Sequence, residues 1–179
     1  SSGLGEATVR KIVAYGGNFS ILDFKKDEGI ALCQELGEAC SFFQTDVTDE
    51  ISINNALLES ININKYINLV VNCAGIGIAN KVIGKEKIHD SQIFKKVISV
   101  NLIGTFNVIK FAAEKMIKNT ADQESFRGVI INTSSIAAFD GQIGQAAYSA
   151  SKGGIASLTL PLAREFSRYG IRVCTIAPG

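Results

Sequence analysis

Five short runs of this 179-residue sequence are apolar nearly throughout, with no regular polar alternation. They are Asn18 to Phe24 (NFSILDF), Cys40 to Val47 (CSFFQTDV), Ile67 to Gly75 (INLVVNCAG), Gly128 to Ser135 (GVIINTSS) and Ile171 to Gly179 (IRVCTIAPG). A strand covered on one face alternates with a period of two, so runs without alternation are buried on both faces. That is the condition of a parallel sheet with helices on each side. Between the runs the period turns helical. Glu6 to Tyr15 is one such stretch, and Lys26 to Leu36, stopped by Gly37, is another. A polar-capped helix starts near Asp49, and Asp90 to Lys118 places Phe94, Val97, Val100, Phe106, Ile109 and Ala113 on one 3.6-period pattern. Tyr148 to Tyr169 is the last helix. The alternation predicts a doubly wound α/β fold. No repeat, low-complexity tract or linker interrupts it, so residues 1–179 read as one domain.

In such a sheet, ligands sit beyond the carboxyl ends of the strands. The residues just after the runs therefore define the rim to inspect: Asp23, Asp46 with Val47, Asn72 to Gly75, Ser134 with Ser135, and Pro178 with Gly179. The opening stretch SSGLGEATVR belongs with them. Gly3 and Gly5 would let the backbone approach a pyrophosphate at the start of the adjoining helix. About twenty residues later, at the end of a strand, Asp23 can accept hydrogen bonds from an adenosine ribose diol, and its charge repels a 2′-phosphate. Phosphate-binding turns of this kind come after a strand, and none precedes Gly3 in this sequence.

Composition removes several classes. A formal charge of +1 provides no basic field for nucleic acid. The apolar runs are far shorter than a membrane span. Cys33, Cys40, Cys73 and Cys174 show no metal-ligand spacing and His89 is the single histidine, so no metal site is expected. The cysteines read as unpaired, reduced core thiols.

The chemistry-bearing segment is AAYSASKGG, Ala146 to Gly154. Tyr148 and Lys152 are four apart and share a helix face. A phenol has an unperturbed pKa of about 10, and a neighbouring ammonium favours its anion, so the pair can exchange a proton near neutral pH. Ser135 ends the preceding strand, at the rim. Its hydroxyl can hydrogen-bond a carbonyl oxygen that gains charge as hydride adds. Ser134 beside it could fill the ordinary role of capping the turn after a strand.

SSGLG, NCAG, VNLIGT, INTSS, AAYSASKGG and IRVCTIAPG, in this order, resemble the short-chain dehydrogenase/reductase family, and the resemblance spans the whole chain. It implies a Rossmann-type sheet, NAD as cofactor, and a catalytic tetrad of Asn101, Ser135, Tyr148 and Lys152. In the family the Tyr exchanges the substrate proton and the Lys binds the nicotinamide ribose. The Ser positions the oxygen and the Asn holds a water. Ser2, Leu4, Asp23, Asp46, Val47 and Cys73 match cofactor-contacting positions, with Asp46 and Val47 at the adenine. Gly3, Gly5, Ala74 and Gly75 belong to the same cofactor-binding segments, and Gln145 is either an acyl-orienting residue or a surface glutamine.

Within the family the chain is similar to a subgroup that acts on 3-hydroxyacyl-CoA thioesters and, in places, steroid alcohols. The similarity is near-continuous over Arg127 to Glu165, includes Pro161, and extends to insertions at Lys81 to Gln92 and Asn119 to Gly128. It implies a homotetramer, a mitochondrial location and a tRNA methyltransferase partner. The alternatives are an NADPH-dependent 3-oxoacyl-ACP-type reductase and a mainly structural subunit of a mitochondrial tRNA-processing complex. The resemblance also implies a further strand before the glycines and a substrate lid after Gly179. The chain is thus expected to be a fragment, with a slot between the strands ending at Asp23 and Gly75 and with weak folding and NAD binding on its own.

Overall fold

The computed structural model describes residues 1–85 and 88–179. Glu86 and Lys87, inside the insertion Lys81 to Gln92, lie outside the described residues. Helix α1 (Gly3–Ala14) leads into β1 (Phe19–Asp23), α2 (Lys26–Leu36), β2 (Cys40–Gln44), α3 (Glu50–Asn64) and β3 (Leu69–Asn72). Then come α4 (Ser91–Ile98), α5 (Gly104–Met116), β4 (Gly128–Thr133), α6 (Ala146–Ser167) and β5 (Ile171–Ile176). Each expected strand and helix is present. Two starts are set by carboxylate caps: Asp49 Oδ1 accepts from the Ile51 N–H (2.9 Å) and Asp90 Oδ1 from the Gln92 N–H (2.8 Å).

All strand pairs are parallel. β1 pairs with β2, and β4 lies between β3 and β5, with Val70 opposite Ile130 and Ile130 opposite Val173. The strands form two sheets, β1-β2 and β3-β4-β5. Two apolar cores match the two sheets. The larger joins Ile53 and Leu57 of α3, Ile109 and Met116 of α5, Ile130 of β4, Phe166 of α6 and Val173 of β5. The smaller holds Val9, Ile21 and Leu32, with Phe42 packed against them. Leu22 and Val47, from the first sheet's carboxyl rim, pack against the larger core and tie the halves together.

Two expectations change. Residues Ser91–Met116 run as 26 helical residues whose most apolar window has a mean hydropathy of 1.3, long and apolar enough by composition to cross a membrane. Half of that window is nevertheless buried, and Val97, Val108, Ile109, Ala112, Ala113 and Met116 of the 26 residues pack inside the protein. The cysteines also differ from core thiols: Cys174 is exposed, and Cys33, Cys40 and Cys73 are only half-buried. Cys33 lies on a helix, not a strand.

Candidate active site

The carboxyl ends of β3 and β4 and the start of α6 enclose a cavity of about 490 Å³. Ser135, Tyr148, Lys152, Cys73, Gly75, Leu4 and Gln145 line it, together with Thr133 and the backbone from Ile76 to Ala79. Seven predicted site residues, drawn from four distant segments of sequence, thus meet at one place.

Helix α6 sets the Tyr148–Lys152 geometry. The Lys152 ammonium lies 5.7 Å from the Tyr148 ring centroid and donates to the Thr133 carbonyl at 2.7 Å. Lys152 is 5% exposed. Burial pushes its ammonium below the ordinary lysine value, and the Cys73 sulfur, on the same cavity wall, pulls weakly the other way. A cation with so little solvent around it acts strongly on neighbouring charge.

The two serines after β4 make different bonds. Ser134 is buried, and its hydroxyl donates to the Lys152 carbonyl (2.7 Å), tying the strand end to α6. Ser135 does the capping: its Oγ accepts from the Ala137 N–H at 3.1 Å. Because that bond uses a lone pair, the Ser135 proton stays available for an oxygen in the cavity.

Asn101 lies behind the cavity wall in a π-helical turn, Ser99–Ile103, that joins α4 to α5. Such turns recur at functional sites because they re-aim a side chain out of the helical register. Asn101 is fully buried. Its Oδ1 accepts from the Ile76 N–H (2.8 Å), and its Nδ2 donates to the Ile76 carbonyl (2.9 Å) and to Ser151 Oγ (3.0 Å). The Thr105 hydroxyl takes up the Asn101 carbonyl at 2.7 Å. In this structure Asn101 is a clamp on the cavity-wall backbone. Ile76, Ser151, Thr133 and Thr105 were not singled out from the sequence, although Thr133 stands inside the quoted INTSS.

The cofactor-binding candidates spread along the rim. Ser2 precedes α1 without a side-chain cap, and Gly3 has φ +55°, a left-handed conformation suited to glycine. Gly5 packs against Cys73, whose Cβ is 3.5 Å from where a Gly5 Cβ would stand. Ala74 is exposed beside Gly75. A Cβ on Gly75 would meet Asn101 Oδ1 at 3.3 Å and Lys152 Nζ at 3.7 Å, so the glycine leaves a cradle open above both. An uncapped helix start with a left-handed glycine, and a cradle that a side chain would fill, fit a nicotinamide dinucleotide.

Asp23, Asp46 and Val47 are not on the cavity wall. Asp23 ends β1, and its Oδ1 accepts from the Lys25 N–H at 3.0 Å. Asp46 spends Oδ1 on the Thr48 N–H and hydroxyl (2.8 and 2.7 Å), and Val47 packs against Gly104. Gln145 lines the cavity, but its Oε1 is tied to the Gln142 N–H at 2.9 Å. Among the described residues no group of three or more His, Cys, Asp and Glu could hold a metal.

The fold, this rim and the Ser135–Tyr148–Lys152 cluster define an oxidoreductase class, and the short chain dehydrogenase profile matches residues 1–179, so the chain belongs to the short-chain dehydrogenase family. It is 49% identical over 181 residues to 3-hydroxyacyl-CoA dehydrogenase type-2 of Bos taurus, an alignment covering 100% of this chain and 69% of that protein. The protein of the same name in Drosophila melanogaster is 45% identical, with 100% and 71% covered. The crystal structure of 3-hydroxyacyl-CoA dehydrogenase type-2 from Mycobacterium avium superposes with a TM-score of 0.90 at 38% identity, covering 99% of this chain and 70% of that one. The chain is therefore a nicotinamide-dependent oxidoreductase in a group of enzymes acting on small molecules.

Proposed function

We propose that residues 1–179 form an NAD-binding catalytic domain that interconverts a secondary alcohol and a ketone, with 3-hydroxyacyl-CoA thioesters as substrate class. The observation that carries this reading is the meeting of Tyr148, Lys152 and Ser135 in one cavity at the sheet's carboxyl rim. The bound nicotinamide supplies the hydride acceptor. Everything else falls to the chain. Ser135 donates its free proton to the substrate oxygen and fixes its position. Tyr148 takes the hydroxyl proton in oxidation and returns it in reduction. The Lys152 ammonium, held by the Thr133 carbonyl, stands 5.7 Å from the Tyr148 ring centroid on the shared helix face. Asn101 is a positioning residue, holding Ile76 and with it the backbone over the cavity. Ser2, Gly3, Leu4 and Gly5 at the start of α1, with Cys73, Ala74 and Gly75 after β3, would hold the dinucleotide. Asp46 and Val47 would lie at its adenine end and Gln145 beside the acyl group.

Asp23 favours NAD over NADP, because a carboxylate at a ribose site repels a 2′-phosphate. By the same resemblance we read the protein as a mitochondrial homotetramer. Ile103 and Phe106 before and in α5, and Leu160 in α6, are each more than 40% exposed and suit an apolar contact between copies. A tRNA methyltransferase partner rests on the resemblance alone.

The test compares turnover of a short-chain 3-hydroxyacyl-CoA with NAD and with NADP, beside a 3-oxoacyl-ACP with NADH and NADPH. The reading expects the CoA thioester with NAD to be fastest, by tenfold or more over NADP, on the order of one desolvated charge contact. Preference for the ACP thioester with NADPH contradicts it. Absence of turnover with every pair would favour the structural-subunit alternative.

A further inference from the structure

Outside the active site, two cysteine side chains stand together. Cys33, in the last turn of α2, and Cys40, at the start of β2, have their sulfurs 2.8 Å apart. The local chain geometry brings them there. The Gly37 N–H returns to the Cys33 carbonyl, and Gly37 at φ +75° reverses the chain through a 3₁₀ turn, Gly37–Ala39, straight into β2. Both thiols are half-buried and carry no disulfide. Cys33 also lines an open hollow between α2 and β2, walled by Lys26, Ile30, Gln34, Glu38 and Phe42. Reagents in solution therefore reach it.

We propose that Cys33 and Cys40 form a reversible dithiol/disulfide site that reacts with low-molecular-weight disulfides of the glutathione type. The Cys33 thiolate attacks one sulfur of the small disulfide and releases one small thiol, leaving a mixed disulfide. Cys40 then gives up its proton and attacks the Cys33 sulfur, which expels the second small thiol. One small disulfide is reduced to two thiols, and two cysteine thiols are oxidised to one disulfide. A disulfide bond is about 2.05 Å long, so the sulfurs close by a shift of less than an ångström. Burial, with Cys33 adding to it, pushes the Cys40 thiol up to about 12. Cys40 therefore keeps its proton while Cys33 is free, and Cys33 reacts first. Once Cys33 is capped, its part of that hold is gone.

The bridge lies in the sheet half that carries Asp23 and Asp46, and the hollow beside Cys33 shares no lining residue with the cavity that holds Tyr148.

The test incubates the chain with excess oxidised glutathione and reads intact mass and peptide maps. The peptide holding Cys33 and Cys40 should be two hydrogens lighter, carry their cross-link and revert with dithiothreitol, whatever adduct the exposed Cys174 takes. In Cys33→Ser and Cys40→Ser, checked for native circular dichroism, the remaining member of the pair should stop at a mixed disulfide. Phenylarsine oxide, which bridges paired thiols, supplies a measurement that needs no variant. It should bind once per chain and protect Cys33 and Cys40, but not Cys174, from alkylation. Separate glutathione adducts on both cysteines of the unmodified chain, or no protection by the arsenical, overturn the proposal.

Discussion

At residue scale, the site depends on which face each side chain is given. Tyr148 and Lys152 were legible in the sequence because a spacing of four on a helix fixes a common face. The bond of Ser134 to the Lys152 carbonyl was not, because adjacent residues at a strand end point opposite ways and only the register against α6 decides which turns inward. Asn101 rested on resemblance alone, since nothing in a continuous 3.6-period pattern announces a π turn. The Cys33–Cys40 contact escaped because a helix end, a turn and a strand start separate the two sulfurs. Lys152 carries a prediction of its own. Its charge is disfavoured in the folded state, so the unfolded chain binds the proton more readily between the lowered folded value and the ordinary value of about 10.4. Across that alkaline window stability should rise with pH, and below it the penalty of the buried cation is constant. Urea unfolding of the unmodified chain and of Lys152→Met should diverge there, with only the former gaining stability on this account. Parallel curves contradict it.

At element scale, the five strands and their helices follow from patterning, while their joints follow from single hydrogen bonds. The π turn between α4 and α5 turns Asn101 toward Ile76, and both Ile76 backbone groups depend on that one side chain. Asn101→Ala removes three hydrogen bonds and leaves two backbone groups under-satisfied, a loss of about 1–3 kcal/mol. Chemical denaturation should show it, and turnover should fall with it as the cavity wall loosens. Asn101→Asp should restore neither, since a carboxylate cannot donate to the Ile76 carbonyl. An Asn101→Ala variant with unchanged stability would show that the clamp carries no weight.

At the scale of the whole molecule, the carboxyl rims of the two sheets carry the candidate active-site chemistry, and the sheets are joined by packing, not by strand pairing. Sequence patterning showed the strands, because each run marks its own ends. It could not show how the halves stay together, which depends on Leu22 and Val47 reaching the larger core and on Ser60 and Asn64 of α3 donating to Ser20 Oγ in β1. Strand β4 is paired on both sides, whereas β1, β2, β3 and β5 are each paired on one among the described residues. Native-state hydrogen exchange should therefore protect the β4 amides most and leave the other four strands faster. Equal protection in all five would mean that the open edges are covered. The central claim is that this rim performs alcohol oxidation through Tyr148. Its most direct test is the single-turnover rate of 3-hydroxyacyl-CoA oxidation by NAD in the Tyr148→Phe variant. We predict a loss of about 10²–10⁴-fold with NAD affinity unchanged, since only the proton acceptor is removed. A variant that turns over at the unmodified rate would contradict the account.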